Sequence, residues 1–334
     1  MENKKEKWII DTDPGCDDLF AILYLLRKHD AEVLLVSVAN GNVHIKEVEV
    51  NVKKSLVICD INPYPETLIG VSPITANPIY AEAYHFEGGL GNIKEINELD
   101  VSNIVFDSKS SCVKIVELVN KYPNEINLLA IAPCSTITTA YMLDSSIAFK
   151  FKYVYTMGGS LRSRGNVSPT SEFNYAFDPI ASHILIRNFA NVVFVPWEPT
   201  ELITIGIEDL EELKKEILSE GKTLNEISYF YLHKIVEKFK LRGNEALHIC
   251  DFYTIAAFFN HKVVKSFFIG EINVIFDSIE TKGAIKVEKV HKHEFKDFTD
   301  ALNNISKIPK NSVIVVEEID RENMLKEMKL IFIK

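Results

Sequence analysis

Short apolar, often β-branched runs alternate with segments of helical period along this chain, and that alternation limits its fold more than any other feature. Trp8-Ile9-Ile10 has the pattern of a short buried strand, and Leu19 to Leu26 continues at helical spacing. Val33 to Val38 is fit for a buried parallel strand, and in the segment His44 to Ile58 the residues Ile45, Val48, Val52 and Leu56 recur at helical intervals. Leu68–Val71, Ile126–Ala132, Tyr153–Met157 and Asn191–Trp197 are further strand candidates, and Ser110–Asn120 is a helix candidate. Asp178-Pro179 starts another helix, running to about Asn188, with Asp as the cap and Pro at the first helical position. Strands alternating with helices predict an α/β fold, an open, mostly parallel sheet flanked by helices on both faces. The stretch 208–260 departs from the alternation. Charged amphipathic helices at 208–220 and 223–241, then a more apolar one at 251–260, predict a helical insertion. Strand patterns return at 267–276, 282–290 and 313–317, before a final helix near Glu322. No repeat, low-complexity segment or Pro/Gly/Ser linker interrupts the chain, so a single domain over 1–334 is expected.

Composition narrows the functional classes. An apolar share of 47% excludes intrinsic disorder. Acidic residues outnumber basic ones 47 to 37, a net charge of −10, and no basic stripe is available for nucleic acid. Cys16, Cys59, Cys112, Cys134 and Cys250 are odd in number, scattered and without a CxxC pair. They predict neither a disulfide framework nor a zinc site and suit a reducing compartment. No run of roughly 18–20 apolar residues predicts a membrane span, and three apolar residues before Asp11 are too few for a secretory signal. A cytoplasmic protein is the expectation.

The chemistry concentrates in Asp11-Thr12-Asp13-Pro14-Gly15-Cys16-Asp17-Asp18, four carboxylates within eight residues between a buried strand and an apolar helix. Like charges so close repel and raise one another's pKa. A hard divalent cation with oxygen ligands is the simplest compensation, and strand ends in open α/β sheets are where ligands bind. A helix dipole would accommodate one or two of these acids, whereas four exceed that need. The spacing does not match an EF-hand loop. After the Tyr153–Met157 strand, Gly158-Gly159, Asn166 and Glu172-Phe173-Asn174 supply amide and carboxylate groups suited to hydroxyl recognition. His248-Ile249-Cys250-Asp251 precedes an apolar helix, where Asp251 alone would be an ordinary cap. Gly41-Asn42 follows the Val33–Val38 strand, and His85-Phe86-Glu87-Gly88-Gly89-Leu90-Gly91 forms a loop.

Taken in order, the Asp-Thr-Asp-Pro-Gly-x-Asp-Asp run, Gly41-Asn42, His85 with Gly89-Leu90-Gly91, Met157-Gly158-Gly159, Gly165-Asn166, Glu172-Phe173-Asn174, Asp178-Pro179 and Asp251 resemble the calcium-dependent nucleoside hydrolases of the inosine–uridine type. The resemblance spans roughly residues 8 to 260 and implies a nucleoside hydrolase-like, Rossmann-like core. It implies a hydrolase of purine or pyrimidine ribonucleosides, active in nucleoside catabolism and salvage, that releases ribose and free base. One Ca²⁺ per site would be held by Asp13, Asp18, Asp251 and a backbone carbonyl falling at about Ile131. Asp13 would be the general base, supported by Asp11 behind it. Asp17, Asn42, Asn166, Glu172 and Asn174 would grip the ribose hydroxyls, with Met157 and Phe173 also at the substrate. The only partner implied beyond other copies of the chain is the nucleoside, with neither nucleic acid nor membrane, and relatives imply a homodimer or homotetramer.

The chain departs from the family where the base leaves. Many relatives carry a His, and purine-specific ones a Trp, immediately before the acid matching Asp251; this chain has Cys250. A thiol, which ordinarily titrates at about 8.5, is a weak proton donor. His248, two residues earlier, is expected to point away, so Cys250 and His85 are the candidate leaving-group residues. His85, Trp197, Glu198, Tyr229 and Tyr231 are candidates for the base pocket. Glu172 disfavours a 5′-phosphate by its charge. Two rival readings remain: a ribose- or nucleoside-binding protein that has lost turnover through Cys250, and a Mg²⁺-dependent phosphatase with Asp11 as nucleophile.

Overall fold

The computed structural model describes residues 5–73, 79–162, 164–243 and 247–334. Among them ten strands form one sheet: β1 (Glu6–Thr12), β2 (Ala31–Val38), β3 (Thr67–Ile69), β4 (Asp107–Ser110), β5 (Ile126–Ala130), β6 (Tyr153–Met157), β7 (Val192–Val195), β8 (Val264–Val274), β9 (Ile285–His291) and β10 (Val313–Ile319). Their order across the sheet is β4-β3-β2-β1-β5-β6-β7-β10-β8-β9. The strands from β4 through β10 in that order pair in parallel, and β8 and β9 add antiparallel at the edge. The mostly parallel sheet read from the sequence is thus present. β4, with the sequence Asp-Ser-Lys-Ser and every residue exposed, escapes the apolar-run criterion because it is a polar edge strand.

Period-two alternation divides the strands' side chains between two apolar layers. Trp8, Ile10, Val36, Val38, Leu129, Tyr155 and Val193 enter one, packed by residues such as Phe20 and Leu23 of the helix Asp18–Arg27 and Val48 and Val52 of the helix Ile45–Cys59. Ile9, Leu35, Leu128, Val154 and Phe194 enter the other, beneath Ile115, Ile137 and Leu185 of the helices Ser111–Lys121, Ser135–Leu143 and Pro179–Asn188. The last of these starts as expected, with Asp178 accepting from the Ala181 amide at 3.1 Å and Pro179 at the first position.

The stretch 208–260 holds the helices Ile207–Ser219, Glu226–Leu241 and Cys250–Phe259. The third is not peripheral: it packs on β6 and on the helix Asp18–Arg27, inside the first apolar layer. That docking carries Asp251 to the sheet. The chain builds outward from β1 through β2, β3 and β4, then returns to place β5 on β1's other edge. This reversal opens a crevice at the carboxyl ends of β1 and β5, the place where open α/β sheets bind ligands. Asp11 lies in register with Ser37 of β2 and Ala130 of β5 at that point.

Candidate active site

The turn after β1 is built by one carboxylate. Asp18 accepts from the Thr12 hydroxyl at 2.7 Å and the Asp13 amide at 3.3 Å on Oδ1, and from the Gly15 amide at 2.9 Å and Asn42 Nδ2 at 3.1 Å on Oδ2. These bonds fold residues 12–18 back on themselves and hold Asn42, from the loop after β2, against them. Asn42 also donates its amide to Asp13 Oδ2 at 2.6 Å and its side chain to the Asp13 carbonyl at 3.1 Å. Asp13 Oδ2 is thereby fixed, while the buried Oδ1 has no partner.

Asp17, Asp18 and Asp251 bring ligand oxygens within 4.8 Å of one another. The reading from sequence grouped Asp13, Asp18 and Asp251; in the structure Asp17 joins Asp18 and Asp251, and Asp13 stands beside them. Neither Asp17 nor Asp251 is spent on helix capping. Asp17 occupies the cap position of its helix without a side-chain cap bond, and the late helix begins at Cys250 with Ile249 at its cap. Burial holds the Asp13, Asp17 and Asp251 carboxyls well above the ordinary carboxylate range, and their mutual repulsion adds to it. Asp18 is raised too, by burial, against the pull of its hydrogen bonds. Three buried acids with the half-buried Asp17, two unpartnered oxygens (Asp13 Oδ1 and Asp17 Oδ1) and an all-oxygen donor set fit a hard divalent cation.

Asp11 lies behind this turn, on the opposite face of β1. It accepts from the Ser37 hydroxyl at 2.6 Å, is fully buried and does not line the cavity. Burial pushes its carboxyl up to about 7.

A cavity of roughly 320 Å³ opens over the cluster. Its polar end is lined by Asp17, Asn42, Ile131, Asn166, Glu172, Asn174 and Asp251, with Met157 and Phe173 alongside. Asn174 donates Nδ2 to the Ile131 carbonyl at 3.1 Å and the Met157 carbonyl at 3.4 Å, so its orientation is set by the ends of two strands. Glu172 caps the short helix Phe173–Phe177, taking the amides of Asn174 at 2.8 Å, Tyr175 at 3.2 Å and Gly159 at 2.7 Å. Burial nevertheless raises its carboxyl to about 7. Asn166 Oδ1 accepts the Phe173 amide at 2.8 Å and ties the preceding loop to this helix.

The other end is aromatic, with Tyr84, Trp197, Phe239, His248 and Cys250. His248 does face the cavity, contrary to the sequence expectation. Its Nδ1 meets the Thr200 carbonyl at 3.4 Å, its ring lies 5.6 Å from that of Trp197, and burial lowers its pKa. Burial pushes the Cys250 thiol up, away from acidity. His85 lines the cavity but its Nδ1 accepts the Cys16 amide at 3.0 Å, and burial lowers its pKa to about 3. The imidazole is neutral, and its 3.8 Å approach to Asp17 is no ion pair.

Three base-pocket candidates lie elsewhere. Tyr231 is buried against Phe20, Tyr229 donates to Glu211 at 2.8 Å, and Glu198 accepts from the Ser160 hydroxyl and the Arg162 amide. Periodicity gives a helix over 223–241 but not which of its aromatic residues reaches the cavity; it is Phe239. Tyr84 was within reach of sequence reasoning, next to the His85 loop motif, yet carried no pattern of its own.

The family of inosine-uridine preferring nucleoside hydrolases matches this chain over residues 8–326. Uridine nucleosidase 1 of Arabidopsis thaliana is 31% identical over 232 residues, covering 68% of this chain and 67% of the relative. The inosine-uridine preferring nucleoside hydrolase of Leishmania major is 30% identical over 190 residues, 57% of this chain and 59% of its own. Among solved structures, a plant nucleoside hydrolase superposes with a TM-score of 0.81 at 24% identity, over 97% of this chain and 98% of that one, which shows the shared fold.

Proposed function

Since the chain belongs to the inosine-uridine preferring nucleoside hydrolase family, we propose that it hydrolyses ribonucleosides to ribose and free base, with Ca²⁺ as its metal and Asp13 as general base. The observation that carries this reading is the unpartnered Asp13 Oδ1, buried beside the Asp17–Asp18–Asp251 cluster at the floor of a nucleoside-sized cavity. Asp18, Asp251, Asp13 and the Ile131 carbonyl are the proposed ligands, and Asp17 joins them by proximity. When bound, the ion supplies charge compensation, orientation of the ribose diol and a lowered pKa for water.

The protein's own groups account for the remaining steps. Asn42 fixes Asp13 Oδ2, so Oδ1 is the atom free to take a proton from the attacking water. Burial and the neighbouring Asp18 raise its proton affinity, as a general base requires. The water oxygen bonds to C1′ while the C1′–N bond breaks, its electron pair leaving with the base. Positive charge grows on the ribose along that path. An acidic wall favours this cation over the neutral substrate, so it binds the transition state better than the ground state. Asn166 and Asn174 present amides at the sugar end; Glu172, with three backbone amides on its carboxylate, shapes that wall. The fixed burial of Asp11 behind the turn speaks against its use as a phosphatase nucleophile.

Uridine and inosine, named for the relatives above, are the first substrates to test. The experiment is a panel of purine and pyrimidine ribonucleosides with Ca²⁺, read as reducing sugar released, for the wild type and Asp13→Asn. The wild type is expected to release ribose, and Asp13→Asn to lose at least ~10²-fold of that turnover with an unchanged thermal midpoint. Nucleoside binding without ribose release by the wild type would make it a binding protein, and unchanged turnover in the variant would remove Asp13 as the base.

A further inference from the structure

We propose that the Tyr84 hydroxyl is the hydrogen-bond donor to the departing nucleobase, filling a part for which the Cys250 S–H is too poor a hydrogen-bond donor. The inference rests on the hydrolase reading and concerns the aromatic end of the same cavity. Tyr84 is the one tyrosine, among the described residues, that lines it. Its hydroxyl makes no hydrogen bond with any described residue; the Tyr155, Tyr175 and Tyr231 hydroxyls are unpartnered too, but those residues are buried away from the cavity.

The ring is held in place from both sides. It packs edge-on against His85, with centroids 4.9 Å apart and planes at 81°, and against Phe239 at 5.0 Å and 66°. The backbone beneath is clamped from the helix Glu226–Leu241: Arg242, just past its end, donates Nη1 to the Ala83 carbonyl at 2.7 Å and the Tyr84 carbonyl at 3.4 Å. The same guanidinium sits 3.4 Å over the Phe86 ring. A phenol fixed by two rings and a clamped backbone loses little freedom when a substrate arrives.

The neighbouring polar groups are committed or placed elsewhere. The His248 Nδ1 proton is directed at the Thr200 carbonyl. The His85 ring lies over Gly15 and beside Asn42, at the sugar end: a Cβ on Gly15 would meet His85 Nδ1 at 2.6 Å and Asn42 Nδ2 at 2.8 Å. Burial keeps the Tyr84 phenol protonated, with Cys250 and Asp17 adding to the effect. As the C1′–N bond breaks, its electron pair spreads over the base ring. A donor aimed at the ring nitrogen or carbonyl oxygen that collects this charge lowers the barrier, and the phenol keeps its own proton. The released base then takes a proton from solvent water.

The test compares wild type with Tyr84→Phe on uridine, inosine and p-nitrophenyl β-D-ribofuranoside, whose leaving group departs as a stable anion without a donor. Tyr84→Phe is expected to lose about 10²-fold in kcat on the nucleosides and to match the wild type on the nitrophenyl riboside. Equal losses on both substrate types, or full activity on both nucleosides, would overturn the assignment. So would a Cys250→Ala variant showing the same selective loss in place of Tyr84→Phe. A wild type inactive on every substrate would refute the hydrolase reading itself, a result distinct from any of these.

Discussion

Gly41→Ala isolates the placement of Asp13 without changing any charged residue. A Cβ at position 41 would stand 1.9 Å from Asp13 Oδ2, 2.7 Å from Asp13 Cγ and 2.8 Å from Pro133 Cδ. Carbon and oxygen need about 3.3 Å even in a close C–H···O contact, so the carboxylate must retreat by about 1.4 Å. That retreat breaks the 2.6 Å bond from the Asn42 amide and turns Oδ1 away from where the attacking water would give up its proton. A misplacement near 1 Å costs on the order of 10²-fold in rate. Overpacking a buried site by one methyl costs about 1–3 kcal/mol. With an unfolding entropy of about 2.1 cal/mol/K per residue, a chain of 334 residues then loses only ~1.5–4 °C of thermal midpoint. The variant is therefore expected to stay folded at 25 °C and yet lose about 10²-fold in ribose release. Gly206→Ala, whose Cβ would meet nothing closer than Asp209 Oδ2 at 3.8 Å, serves as the tolerated control. Wild-type turnover in Gly41→Ala, at an unchanged midpoint, would show that the Asp13 position does not govern the rate.

The buried acids set a pH dependence. Asp11 and Glu172 have carboxyls raised to about 7, and Asp13, Asp17 and Asp251 are raised well above their ordinary values. A carboxyl raised on folding stabilises the folded state while protonated. The contribution is complete below about pH 4, where the unfolded chain is protonated too, and is lost as pH climbs through the folded value. Chelated protein is therefore expected to melt at a lower temperature at pH 8 than at pH 5, and added Ca²⁺ to close that gap; a midpoint rising with pH under chelation would contradict it. Glu172→Gln presents an NH₂ group where Oε2 accepts the Gly159 and Tyr175 amides. It should cost about 1–3 kcal/mol in urea unfolding, and a variant as stable as wild type would deny Glu172 its structural share. Because the aromatic end holds no strong acid, kcat of the wild type should rise with the acidity of the leaving group across a riboside series, and a flat series would show that a proton is delivered in the transition state.

The fold was legible wherever burial on both faces forces apolar composition. Val33–Val38 and Tyr153–Met157 read as strands for that reason, and Asp178-Pro179 announced a helix by its own local chemistry. β4 was illegible because Asp107–Ser110 is an exposed edge with no apolar face. The site divides along the same line. Asp11 through Asp18 stood out because four acids after a buried strand are costly without compensation. Grouping Asp17 with Asp18 and Asp251 needed coordinates, since the direction of each carboxylate depends on how Asp18 gathers the Thr12, Asp13, Gly15 and Asn42 donors. His248 was misplaced for a related reason. A two-residue offset would separate side chains on a helix, but the helix begins only at Cys250, and His248 lies in the approach to it.

The topology explains why charge and aromaticity separate inside one cavity. The reversal between β1 and β5 delivers the turns after parallel strands to a single edge, so the acids of the β1 turn, Asn42 after β2, Ile131 after β5 and Asn174 after β6 converge from sequence-distant places. The opposite wall comes from outside the central strands: Tyr84 from the short helix Glu82–His85, Phe239 from the helix Glu226–Leu241, His248 and Cys250 from the entry to the helix Cys250–Phe259. The sugar end is therefore set by the scaffold, where one displaced carboxylate disturbs a network of bonds to Asp18 and Asn42. The base end is set by side chains on helices and their approaches, outside the strand framework itself. In the proposed mechanism, chemistry at the ribose is thus coupled to the fold, while leaving-group choice would vary with residues such as Cys250 and Tyr84.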